Sequence, residues 1–275
     1  MKPPAKNKTK ILLLFLTTSA TIFLLNCGKP KKLFTIIGST AFQPFCEKLA
    51  DIYTKSHPDV RINIQGGGSI VGIQAMLSNA AEIAMVDLVT LPKEVTTEEF
   101  KIFHIASDGI AVIVHPSNPI ENLTLEEVKK IYTGEITNWK EVGGANKEIV
   151  VVSREKGSGT GKSFEDIVLQ CANLRKDCIF QDSNGTVRET VKNTPQAIGY
   201  IFMGLLNNDV KPVRINNIFP NVENVKSGKY FIQNKVYFVL RKNNYENNPL
   251  IREFIEYVLN DGQKVLESEG LVPVK

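Results

Sequence analysis

Short apolar runs alternate with segments of helical period along most of this chain, and small residues mark each change from one to the next. Residues 33–37 form a β-rich run that ends in Gly38, Ser39 and Thr40; residues 42–55 then carry Phe45, Leu49, Ile52 and Tyr53 at helical spacing. The same order returns in strand 60–64, loop 66–69 and helix 70–78, and again in strand 149–152, loop 154–161 and helix start 162–169. Residues 83–86, 104–114, 198–202 and 237–240 read as further strands, the first leading into Asp87, and residues 250–259 read as a closing helix. Thr96 with Glu99 and Thr124 with Glu127 each match a capping box, which predicts helix starts near Thr97 and Leu125. Such alternation specifies α/β architecture with mostly parallel sheets, since parallel neighbours need a crossover and a helix supplies it.

A chain of 275 residues, 43% apolar and 23% charged, can bury one large core or two smaller ones. No fixed-period repeat or low-complexity linker is present, so two lobes have to be joined by structured crossings, expected near Ile110 and Phe231. That divides the chain into one lobe of residues 33–110 plus 231–275 and another of residues 111–230.

The first 26 residues stand apart. Lys2, Lys6, Lys8 and Lys10 make a basic start, residues 11–25 are nearly continuously apolar, and Cys27 follows at once. The run is shorter than the ~20 residues of a membrane span and reads as a cleaved export signal. Residues 24–27, LLNC, resemble a bacterial lipobox, in which the Cys is acylated and becomes the new N-terminus; residues 27–32 then form a lipidated tether. Removing the signal takes away four Lys and no acid, so the formal charge of +4 becomes neutral and nothing points to a nucleic-acid partner. Outside the cytoplasm Cys171 and Cys178 could close a small loop, with Cys46 free in a helix core.

Three loops place Gly and hydroxyl residues directly before a helix: Ser39-Thr40, Gly68-Ser69 and Ser158-Gly159-Thr160. The first N–H groups of a helix lack intrahelical partners and carry partial positive charge, and Gly lets an anion approach the backbone. Any one of Ser39, Ser69 and Ser158 is more commonly an ordinary cap or turn residue. The three together, with Arg154 at the end of an apolar strand, point to a tetrahedral oxyanion that a guanidinium fork can grip. Asp87 also ends an apolar strand. A carboxylate suits an anion that still carries a proton, as phosphate does near neutral pH and sulfate does not; it repels a fully deprotonated one.

Other chemistries find little support. GSGTGKS at residues 157–163 resembles a nucleotide P-loop, but the first Gly of that motif falls on Lys156. His57, His104 and His115 are far apart with no ligand spacing, and no Ser sits in a nucleophile elbow. No enzyme, metal or cofactor is expected; the enzyme alternative is a phosphate-ester hydrolase.

The ordered motifs GST at 38–40 with Pro44, QGGGS at 65–69, IYTGEITNW at 131–139 with Gly143 and Gly144, REKGSGT at 154–160, SNG at 183–185 and AIGY at 197–200 carry a resemblance. From residue 33 to 275 the chain resembles the phosphate-binding component of bacterial phosphate ABC transporters, a type II periplasmic binding protein family. The resemblance implies two lobes closing on inorganic phosphate, with contacts from Thr40, the backbone of Ala41, Ser69, Asp87, Arg154, Ser158, Gly159 and Thr160. Ala41 stands where relatives often carry a hydroxyl or aromatic side chain, so only its N–H can contribute. Relatives commonly place an acid near position 156 to orient the Arg; here the position is Lys and Glu155 is the adjacent acid. The implied partners are permease subunits and, through Cys27, a membrane, with the protein a monomer on the extracytoplasmic side. The alternatives are a binding protein for sulfate, molybdate or tungstate, and a surface lipoprotein acting as adhesin or sensor.

Overall fold

The computed structural model describes residues 32–274. The export signal and Cys27 therefore lie outside the described residues. The chain begins with β1 (Lys32–Gly38), α1 (Gln43–Ser56), β2 (Val60–Gln65), α2 (Ser69–Leu77) and β3 (Ile83–Leu88). A long strand, β4 (Phe100–Val114), leads to β5 (Asn122–Leu123), α3 (Leu125–Thr133), β6 (Val150–Arg154), α4 (Gly159–Phe164), β7 (Ile179–Gln181), α5 (Asn184–Asn193) and β8 (Ala197–Phe202). The chain continues through β9 (Lys211–Pro212), β10 (Arg214–Ile215), α6 (Val222–Lys226), the second long strand β11 (Gln233–Arg241), α7 (Lys242–Asn247), α8 (Pro249–Leu259), α9 (Asp261–Ser268) and β12 (Val272–Pro273).

One sheet runs through the molecule in the order β2-β1-β3-β11-β4-β8-β6-β7. Pairing is parallel at each end, where β1 lies between β2 and β3 and β6 lies between β7 and β8. It is antiparallel in the middle, where β11 pairs with β3 and β4, and β4 with β8. β4 changes partner at one point: Phe100 to Gly109 pair with β11, and Ile110 to Val114 pair with β8.

β3, β8 and residues 110–114 of β4 are almost continuously apolar because both faces are covered. In β3, Ile83 and Met85 enter one core with Phe34, Phe42, Phe45, Phe238 and Phe254, while Ala84, Val86 and Leu88 pack with Ile73 and Met76 of α2 on the other face. In β4, Ile110, Val112 and Val114 join a core built on Tyr132, Trp139, Phe164 and Tyr200, and Ala111 and Ile113 face Val187 and Val191 of α5. Period-two alternation is thus present, but it sorts residues between two cores rather than between core and water.

The two capping-box patterns part company. Thr124 and Glu127 form the reciprocal box that starts α3. No helix begins at Thr97; Thr96 ends a 3-10 turn, Lys93–Val95, and its hydroxyl donates to Lys93 O at 3.0 Å. Phe100 then pairs with Arg241, so the β4–β11 ladder takes the chain within four residues and leaves no room for a helical turn. The expected closing helix is present as α8, but α9 and β12 follow it, with β12 added to β4. The α4 segment passes directly into a π-helical turn, Glu165–Leu169. All three cysteines of the described residues are free: Cys46 is buried in α1, its thiol pushed up by burial and then by Glu47, while Cys171 is exposed and Cys178 half-buried without a bridge between them.

Candidate oxyanion site between the strand ends

Ser39 and Ser69 each fix a loop by local hydrogen bonding. After β1, Ser39 Oγ accepts the N–H groups of Ala41 (3.2 Å) and Phe42 (3.1 Å) and turns the chain into α1. After β2, Gly68 N–H donates to Gly38 O at 2.9 Å, tying the second loop to the first, and Ser69 opens α2. Ser69 Oγ accepts the N–H of Asp87 (3.0 Å) and donates in a short bond to Asp87 Oδ1.

After β6, towards the other end of the sheet order, Ser158 caps α4 by accepting Gly161 N–H at 3.0 Å, and Thr160 Oγ1 donates to Asp87 Oδ2 at 2.7 Å. Both oxygens of Asp87 are therefore occupied by hydroxyls, one from α2 and one from α4. Burial pushes the Asp87 carboxyl above the usual range, opposed by the hydroxyls of Ser69, Thr160 and Ser39 and by the charge of Arg154. The loops come very close. A Cβ at Gly68, where φ is +96°, would lie 2.4 Å from Gly157 O, and one at Gly159 would lie 2.1 Å from Asp87 Oδ1.

Arg154 is the last residue of β6 and only 2% exposed. Nε donates to Glu155 Oε2 (3.1 Å) and Gln181 O (3.2 Å), and Nη2 donates at 3.2 Å to Glu155 Oε1, Asp182 O and Thr40 Oγ1. Glu155 thus orients the fork, while Lys156 is exposed. The remaining nitrogen, Nη1, is buried with no partner. A guanidinium rarely leaves a buried nitrogen unsatisfied, because desolvating it without a partner costs about 1–3 kcal/mol or more.

Thr40, Ser69, Asp87, Arg154, Gly159 and Thr160 are accordingly brought together, with Ser158 supporting the third loop. The N–H of Ala41 is turned to Ser39 Oγ. Gln181 O and Asp182 O were not legible beforehand, since a backbone carbonyl leaves no trace in residue type. Asp108 and Asn234 were missed for another reason: each sits inside a long strand. They face one another across β4 and β11, both at most 1% exposed, and Asn234 Nδ2 donates to Asp87 O over a long 3.5 Å. Asp108 Oδ2 accepts Gly204 N–H at 3.0 Å, whereas Asp108 Oδ1 and Asn234 Oδ1 have no partner.

Burial pushes the Asp108 carboxyl well above its usual range, against the N–H groups of Gly204, Gly109 and Met203, and the Asp87 charge adds to the rise. Such a group binds more protons folded than unfolded, so its contribution to stability declines as pH rises from the unfolded pKa of about 3.9 towards the folded one. Asp108→Asn keeps an acceptor for Gly204 and adds a donor beside Asn234. At pH 7 it is expected to raise the melting temperature by about 2–6 °C, with the gain shrinking near pH 4. A melting temperature lowered at pH 7 would mean that an ionised Asp108 is a paired charge.

A mixed sheet whose loops meet over a buried Arg and a buried Asp, between two hydrophobic cores, defines a two-lobed solute-binding protein of the type II periplasmic class. The model of the PBP superfamily domain matches residues 18–262. The phosphate-binding protein PstS of Borreliella burgdorferi is 30% identical over 98% of this chain and 99% of its own length, and that of Bacillus subtilis is 32% identical over 87% and 80%. A phosphate ABC transporter substrate-binding protein of Clostridium perfringens, solved with bound phosphate, superposes with a TM-score of 0.85 at 36% identity, covering 89% of this chain and 100% of that one. An ABC-type phosphate transport receptor from Vibrio cholerae gives 0.74 at 30% identity, over 87% and 99%. This chain belongs to the PstS family of phosphate-binding proteins within the PBP superfamily.

Proposed function

We propose that this chain captures inorganic phosphate between its lobes and delivers it to the permease subunits of an ABC importer. The observation that carries the reading is the unspent Nη1 of Arg154, a buried cationic donor group held by four oxygen-bearing neighbours and lacking only an acceptor. Ser69 and Thr160 each own a single hydroxyl proton, now directed at Asp87. Turning those protons to a ligand frees both Asp87 oxygens to accept the ligand's own O–H, which phosphate has and sulfate lacks. Thr40, Ser158 and Gly159 complete the contacts, with the N–H of Ala41 once it leaves Ser39 Oγ. Charge-assisted hydrogen bonds contribute roughly 1.5–3 kcal/mol each before ordering costs, so a half-dozen suffices for the ~8 kcal/mol of micromolar binding.

In this reading the lobes are residues 33–110 with 231–275 and residues 111–230. The protein is a monomer without catalytic step or cofactor, held on the extracytoplasmic side by lipid on Cys27 after loss of residues 1–26. Calorimetric titration tests it, using the chain stripped of ligand by unfolding and refolding. Phosphate is expected to bind one-to-one at micromolar or tighter affinity with no heat from sulfate, and Asp87→Asn is expected to narrow that preference at least ~10-fold. Sulfate binding by the unsubstituted protein would instead favour a general oxyanion carrier; silence from both anions would favour an adhesin or sensor.

A further inference from the structure

At the end of α1 away from the Ser39–Thr40 loop, that helix meets α8 and the start of α9 around a hollow of about 500 Å³. Helical spacing builds its wall. Tyr53 and His57, four apart on α1 and its cap, stack with ring centroids 4.0 Å apart and planes 11° from parallel. Glu253, Glu256 and Tyr257 share one face of α8, Asp261 follows at the first turn of α9, and all four line the same hollow. The Tyr257 ring lies 5.3 Å from that of Tyr53.

Two features of this hollow are unexplained by packing. Tyr53 is 4% exposed, yet its hydroxyl, like that of Tyr257, is buried without a hydrogen-bond partner. Glu253, Glu256 and Asp261 are exposed, and none of them enters an ion pair among the described residues. Carboxylate and hydroxyl are close enough to feel each other: burial and then the Glu253 charge push the Tyr53 phenol up, and burial and then Asp261 do the same for Tyr257. Among the described residues no three His, Cys, Asp or Glu side chains converge tightly enough to hold a metal ion. Carboxylates spread around a stacked aromatic wall instead fit an extended organic cation, whose charge is attracted by ring faces and whose N–H groups need acceptors.

We propose that this hollow binds a primary ammonium or guanidinium carried on an alkyl chain, with the stem against Tyr53, His57 and Tyr257 and the charge among Glu253, Glu256 and Asp261. The site is separate from the oxyanion loops, and its test does not depend on them. Full-length protein is titrated at low ionic strength with spermidine, with N-acetyl-arginine amide and, as control, with sodium chloride at matched ionic strength. Saturable one-to-one binding of spermidine below about 1 mM is expected. The double substitution Glu253→Gln with Glu256→Gln is expected to weaken it at least ~10-fold, with the phosphate titration unchanged. Binding of the arginine amide as well would identify a protein side chain as the natural occupant; binding of spermidine alone would identify a free polyamine. No saturable binding of either compound up to about 10 mM, or an affinity that the double substitution leaves intact, would overturn the proposal.

Discussion

Arg154→Ala is expected to lower phosphate affinity by about two to three orders of magnitude in calorimetric titration, equivalent to about 3–4 kcal/mol. The side chain is 2% exposed, so its charge acts where water screens little, and Nη1 has no other acceptor. The truncation also leaves Thr40 Oγ1 and the Asp182 carbonyl without this donor, while Gln181 O keeps the N–H of Glu155 at 3.2 Å. A melting temperature a few degrees lower in ligand-free protein should therefore accompany the lost affinity, since each unmet buried acceptor costs about 1 kcal/mol or more. Arg154→Lys separates charge from geometry. One ammonium cannot serve Glu155, two carbonyls and a ligand together, so it should recover only a small part of the binding. Near-native affinity in Arg154→Ala would place the anion elsewhere.

The second large effect is expected from a single methyl group. In Gly159→Ala the new Cβ would sit 2.1 Å from Asp87 Oδ1 and 2.3 Å from both Asp87 O and Ser69 Oγ, against β3 and the first turn of α2. Nothing there is the far end of a flexible side chain, so relief requires α4 and β3 to draw apart. That separation breaks the Thr160–Asp87 bond of 2.7 Å and removes the closed geometry. Phosphate affinity is expected to fall about tenfold to a hundredfold, in line with overpacking costs of ~1–3 kcal/mol. Gly185→Ala is the control: its Cβ meets nothing nearer than Ser183 Oγ at 3.7 Å, and affinity should not change. Equal behaviour of the two variants would show that the loops need not close this tightly on the ligand.

Arg154 and Asp87 share the property that made them legible in sequence. Each is a charged residue at or beside the end of a strand otherwise almost wholly apolar, a position where burial without purpose is costly. Ser69, Ser158 and Thr160 were legible because three Gly- and hydroxyl-bearing loops ahead of a helical period occur together with Arg154. What the sequence did not carry was the use of each hydroxyl. Ser39 serves as a turn residue and Ser158 as a cap, the commoner fates, whereas Ser69 and Thr160, on helices that follow strands from opposite ends of the sheet order, spend their protons on Asp87. Those two residues are 91 positions apart in numbering, and only the closing of the loops makes them neighbours.

The two T-x-x-E segments show the same division. Thr124 and Glu127 are followed by helical periodicity in residues that no sheet competes for, and the local box starts α3. Thr96 and Glu99 run straight into residues 100–114, which a 15-residue strand claims, and the ladder to β11 outweighs one cap. By itself, then, the sequence determined the order of strands and helices, the charged strand ends and the small-residue loops, all of which depend on local propensity and apolar period. Tertiary structure alone decided which strands run antiparallel, that β4 switches partner between Gly109 and Ile110, and that Asp108 and Asn234 are buried face to face. Those outcomes depend on pairings between residues 84 or more positions apart, whose energies appear only once both faces of the sheet are covered.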